Sequence, residues 1–151
     1  MWRRILKTTL LAGSLDITAA FIQVYLAGRV TPGIVLKYIA SGVFGKEAFA
    51  GGYGMMSMGL LFHFTIAFAC TVIFFMLYAK LKFLHHHILL NSILIALIAC
   101  AVTRFIIIPL SNTAPPAKFD FAKAVVAIGI LIVCIGLPLS VSAKRFYLKN
   151  G

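Results

Sequence analysis

"LLAGSLDITAAFIQVYLAG", residues 10–28, has the apolarity of a membrane crossing and carries one acid, Asp16, in its middle. A helical crossing takes about 20 mostly apolar residues, each rising about 1.5 Å. The "MWRRILK" that opens the chain, followed by an apolar run, also imitates a secretory signal. Asp16 interrupts that run, yet apolar residues continue to Ala27. The segment therefore reads as an uncleaved first span over 5–27.

The rest of the chain has the same character. Its 151 residues are 62% hydrophobic and 11% charged, with a mean hydropathy of +1.06, whereas a soluble domain is roughly half apolar and about a quarter charged. Three further stretches have crossing length: 55–79, 88–110 and 121–143. Gly51, Gly52 and Gly54 disfavour helix at the head of the second. The expectation is an all-α, polytopic integral membrane four-helix bundle, folded as a single transmembrane domain over 1–151.

The connection between the first two spans has structure of its own. In "TPGIVLKYIASGVFGKEAFAGG", Thr31 suits an N-cap and Pro32 the first helical position, and apolar residues continue to Phe44. This predicts a helix too short to span, lying in the interface or dipping in and returning. Ser41, Gly42, Gly45, Gly51 and Gly52 mark this packing or re-entrant segment, the glycines allowing close approach to the bundle.

The formal net charge of +11 comes from 14 Lys and Arg against three acids. The basic residues sit at span ends and form no stripe with interleaved aromatics, so nucleic acid is not an expected partner and membrane lipid is. Arg3, Arg4, Lys7, Lys80, Lys82, Lys144, Arg145 and Lys149 fall on one side; Arg29, Lys37, Lys46, Lys118 and Lys123 fall on the other. The positive-inside bias then places both termini in the cytoplasm. Cys70, Cys100 and Cys134 all lie in apolar runs and read as small buried hydrophobes.

A charge at the bilayer centre costs about 2.5 to 3.5 kcal/mol on insertion scales, so it is kept when paired, hydrated or functional. Asp16 and Arg104 are such charges, and His63 is a third titratable group at depth. Counting from the basic ends of the spans places Asp16 roughly 16 Å in and His63 and Arg104 roughly 24 Å in. An Arg side chain can bridge most of that offset. Gly13, Ala20 and Gln23 flank Asp16 at helical spacing, and Gly59, His63, Ala67 and Cys70 form a matching stripe on span two. If both stripes face inward, Asp16, His63 and Arg104 form one polar intramembrane site. Asp120 has the plainer role of an N-cap. Pro109 and Pro138 are expected to bend their helices near span ends.

No catalytic or phosphate-binding motif is present: there is no GxSxG, no HExxH and no phosphate-cradling glycine loop. The adjacent His85, His86 and His87 do not converge on one point. No metal or other cofactor is expected.

Taken together, "AGSLDITAAF", "IASGVFGKEAFAGG", "MGLLFHFTIA", "IPLS" and "GLPLS" resemble, in this order, a group of small bacterial membrane proteins known as conserved hypothetical proteins. The resemblance spans nearly the whole chain. It implies a four-span inner-membrane protein and assigns no activity. It marks Asp16, Ser41, Gly42, Gly45, Gly51, Gly52, His63, Pro109 and Ser111, and does not extend to Arg104.

The leading expectation is a membrane protein whose internal polar site serves small-solute or proton translocation, as a homo-oligomer because four spans rarely enclose a pathway alone. The alternative is a structural or accessory membrane protein with a protein partner, its buried charges serving only helix packing. A redox or lipid-modifying enzyme built on His63 is a third reading.

Overall fold

The computed structural model describes residues 1–28, 31–81, 84, 87–102 and 121–150, with the side chains of 27, 102, 122, 123, 149 and 150 left aside. The elements are α1 (Trp2–Gly28), α2 (Pro32–Phe44), α3 (Glu47–Ala50), α4 (Tyr53–Lys80), α5 (Ile88–Val102), α6 (Phe121–Leu131) and α7 (Leu137–Asn150), with a π-helical turn at Ile132–Gly136 joining the last two. The protein is an all-α membrane bundle. Among the described residues, three helices are long and apolar enough to cross a bilayer, over Trp2–Leu26, Tyr53–Lys80 and Ala124–Leu148. The expected third span, 88–110, is described as α5 over 15 residues; its remainder, with Arg104 and Pro109, lies outside the described residues.

The side chains on α1 are sorted in the reverse of a soluble helix. Thr8, Thr9, Ala12 and Gly13 turn inward with Ile5 and Ile17, while Leu6, Leu10, Leu11, Leu15 and Ile22 face out. Lipid solvates leucine as well as another helix does, so small and hydrogen-bonding residues take the interfaces instead. The seams follow that rule. Thr8 meets Ser142 at 2.5 Å, Ser92 meets Ser140 at 3.3 Å, and the buried Asn91 amide donates to the Leu84 carbonyl. Thr9 is the exception, its enclosed hydroxyl having no partner among the described residues.

One end of the bundle is closed by aromatics. Ile5, Phe75, Tyr78, Leu139 and Ala143 are buried together; Tyr78 and Tyr147 stack at 5.5 Å, and the Tyr147 hydroxyl donates to the Phe75 carbonyl at 3.0 Å. Met1 and Arg3 share a cavity here with Ser142 and Phe146, so the two ends of the chain meet on the same side of the bundle.

The short helix after span one forms as its sequence predicts. Thr31 precedes Pro32 at the cap position but makes no side-chain cap bond. α2 runs along α4 in the same sense: Gly33 meets Met56 and Leu36 meets Gly59, and Phe44 stacks on Phe62 at 6.1 Å. The chain then turns at Gly45, whose φ of 63° suits glycine. α3 leads back to the head of α4, with the Lys37 ammonium donating to the Phe49 carbonyl at 3.2 Å. α2 therefore lies alongside α4, and the chain returns through α3 to the head of α4. Ser41 is buried, its hydroxyl donating to the Tyr38 carbonyl at 2.6 Å. Gly51 ends α3 and Gly52 caps α4.

The last helix passes Ala143, the expected end of its span, and continues to Asn150. A π-helical turn lies directly before Pro138. Proline has no N–H to offer the carbonyl four residues back and its ring crowds that carbonyl. The backbone widens just before it, Leu137 N–H bonding the Ile132 carbonyl in an i→i−5 step. Gly136, within the turn, lies so close to Ser92 that a Cβ would overlap the Ser92 backbone.

A Cβ at Gly59 would likewise overlap the Leu36 carbonyl, whereas one at Gly52 would meet nothing. Gly59→Ala should therefore cost about 1–3 kcal/mol by forcing α2 off α4, read as a lower unfolding midpoint in detergent. Gly54→Ala, in the first turn of α4, where a Cβ also meets nothing, should not destabilise, alanine being the better helix former. Equal effects of the two would contradict this packing.

Candidate functional site

Asp16 lies at the middle of α1 (Trp2–Gly28) and is half-buried. Asp16, Ala20 and Gln23 follow one another at helical spacing and form one wall of a cavity of about 140 Å³. Ala127, Ile130 and Leu131 of α6 form the other wall. A space of this size with a carboxyl and an amide on one side can hold a few waters, which need polar partners to stay. The polar stripe expected on span one is thus present and faces a hollow.

His63 is held from the α4 side. Its Nε2 lies 2.9 Å from the Gly13 carbonyl, and because a carbonyl only accepts, Nε2 carries the hydrogen. Nδ1 makes no hydrogen bond among the described residues. The edge of His63 meets Phe64 at 5.4 Å, and Phe64 in turn fills the space beside Gly13, where no side chain exists to exclude it. A glycine on α1 thus permits the close approach that brings His63 into register.

Gly13 and Asp16 are three residues apart on one face of α1. The π-turn that carries Cys134 packs against α1, and Asp16 stands one turn beyond the Gly13 carbonyl that holds His63. The acid forms no direct hydrogen bond or ion pair with another described residue. Counting from span ends set His63 roughly 8 Å beyond Asp16; its bond to Gly13 instead brings the ring to the turn of α1 just before Asp16. The count took both helices as starting at one plane and running parallel, and tilted, offset helices do neither.

His63 is thus held at Gly13, three residues before Asp16 on α1, without a direct bond to the acid. Arg104, the third member of the expected site, lies outside the described residues. Gly59, grouped with His63 in the sequence stripe, faces α2 instead. Ala127, Ile130 and Leu131 gave no sequence signal, since apolar residues that line a cavity look the same as those that face lipid. Cys134 was legible only as one of three apolar-run cysteines.

Fold and site together define an integral membrane protein with a half-buried acid beside an intramembrane cavity and a histidine braced near it. No family model, curated protein or solved structure matches the chain.

The His63–Gly13 bond joins α1 to α4. His63→Ala should destabilise the folded protein by about 1 kcal/mol, the scale of an interhelical hydrogen bond in a membrane. His63→Gln, whose amide can donate, should recover part of that loss in detergent unfolding. An unchanged midpoint for His63→Ala would contradict the brace.

Proposed function

We propose that this is a multi-pass inner-membrane protein with cytoplasmic termini, a member of the small bacterial group its motifs resemble, in which Asp16 and His63 form a polar site for proton or small-solute translocation. The cavity against Asp16 is the observation that carries this reading. It gives a half-buried carboxyl a place for water or a small polar solute part-way through the bilayer, and intramembrane acids in such settings mark ion and substrate paths. A proton on Asp16 has a nearby acceptor in His63, whose Nδ1 is left free by the bond at Nε2. Arg104 is the candidate counter-charge, and a homo-oligomer would complete a pathway that one four-helix bundle is too small to enclose.

The same bond also favours the alternative, a structural or accessory protein, because a histidine that braces two helices already has a packing role. Flux separates the two. Protein reconstituted in liposomes with an entrapped pH dye should dissipate an imposed pH gradient. Asp16→Asn should lower that rate about a hundred-fold or more, the scale of a lost proton-transfer group, with the fold intact. The accessory reading instead predicts no flux of protons, cations or anions. It also predicts a thermodynamic cycle in which Asp16→Asn and Arg104→Gln each destabilise and the double variant recovers much of the loss.

A further inference from the structure

A second cavity lies at the opposite end of α1 from Gly28, away from Asp16. It is about 540 Å³ and lies between the first two turns of α1 and the last helix. Arg3, Arg4 and Lys7 line it, with Thr8 and Ser142, and Leu11 and Phe146 add apolar surface. None of the three cations has an ion-pair partner among the described residues. The hydroxyls are committed to each other. Thr8 Oγ1 donates its single hydrogen to the Arg4 carbonyl at 2.9 Å, so in its 2.5 Å contact with Ser142 it accepts. The free donors at the cavity are therefore the Arg3 and Arg4 guanidinium groups and the Lys7 ammonium, beside the amino group of Met1.

Depth and shape select among anions. The cations occupy the first turns of a membrane-crossing helix, where phospholipid headgroups lie. Next to them α1 turns Leu6, Leu10 and Leu15 outward, a surface suited to acyl chains. A bare anion would use the charged part only, whereas an amphiphile with a phosphate at its head uses both. Guanidinium matches phosphate with paired N–H donors.

We propose that this cavity binds a phosphate group, presented by an anionic phospholipid whose acyl chains lie along α1. Such a lipid would cover the unpaired charge at this end and stay attached as a specific ligand, beyond the general pull of a basic protein to an anionic surface.

Trp2, the chain's single tryptophan, is 59% exposed on the same turn as Arg3 and Arg4, and its emission reports on the site. Full-length protein would be placed in phosphatidylcholine nanodiscs carrying small fractions of brominated phosphatidylglycerol or brominated phosphatidylcholine. The expected result is half-maximal quenching at about a ten-fold lower fraction of the glycerol lipid. The preference should vanish in the triple variant Arg3→Gln, Arg4→Gln, Lys7→Gln and persist in Lys144→Gln, Arg145→Gln, which removes equal-signed charge from the neighbouring helix. A second arm adds inorganic phosphate to nanodiscs without anionic lipid. A saturable change in emission there, lost in the triple variant and unaccompanied by any lipid preference, would keep the phosphate chemistry and overturn the lipid as its source. Equal quenching by both lipids with no phosphate response would overturn the site, as would a preference that survives the triple variant.

Discussion

In hydrocarbon an apolar helix gains little by exchanging lipid for another apolar helix, so this bundle depends on how closely its backbones can approach. Gly59 lets α2 lie against α4 at the Leu36 carbonyl, and Gly136 lets the π-turn lie against Ser92 of α5. Gly13 accommodates Phe64 and offers its carbonyl to His63. A side chain at any of these points would hold two helices apart and remove dispersion contacts that nothing else in the membrane replaces. The leucines of α1 accordingly face outward, and serine and threonine share the seams with Ile5, Ile17 and Leu139.

Close packing is not uniform along the molecule. Near the chain ends α1, α4 and α7 converge on Phe75, Tyr78 and Tyr147. Further along, α1 and α6 leave a hollow, and Asp16 stands there. A carboxyl sealed into apolar packing would be costly unless neutralised or fully hydrogen-bonded. A water-sized space with Gln23 beside it lowers that cost and makes the acid accessible. The loose region thus coincides with the acid, while the tight contact at Gly13 holds His63 one turn away.

Much of the fold was legible because the bilayer imposes a length. The spans at 5–27 and 55–79 fall within the observed helices, and Thr31-Pro32 begins α2 as expected. The Asp16, Ala20, Gln23 stripe was legible too, since polar residues at helical spacing in a span have few other uses. The far wall of the cavity was not, because Ala127, Ile130 and Leu131 are apolar wherever they point. The hydroxyl seam of Thr8, Ser92, Ser140 and Ser142 was equally silent, as single small polar residues are common in spans. The partner of Gly59 escaped because a stripe of small residues gives close approach without naming the approaching helix. The relative level of His63 escaped because tilt and offset belong to the packing of whole helices.

The central claim is that Asp16 stands in an accessible cavity coupled to His63, and infrared spectroscopy tests it most directly. The carboxyl band that disappears in Asp16→Asn would be followed in membrane-reconstituted protein across a pH series. The account predicts a band that titrates reversibly with bulk pH and whose midpoint moves in His63→Gln. A band that ignores bulk pH while the protein stays folded, or that titrates identically without His63, would contradict it.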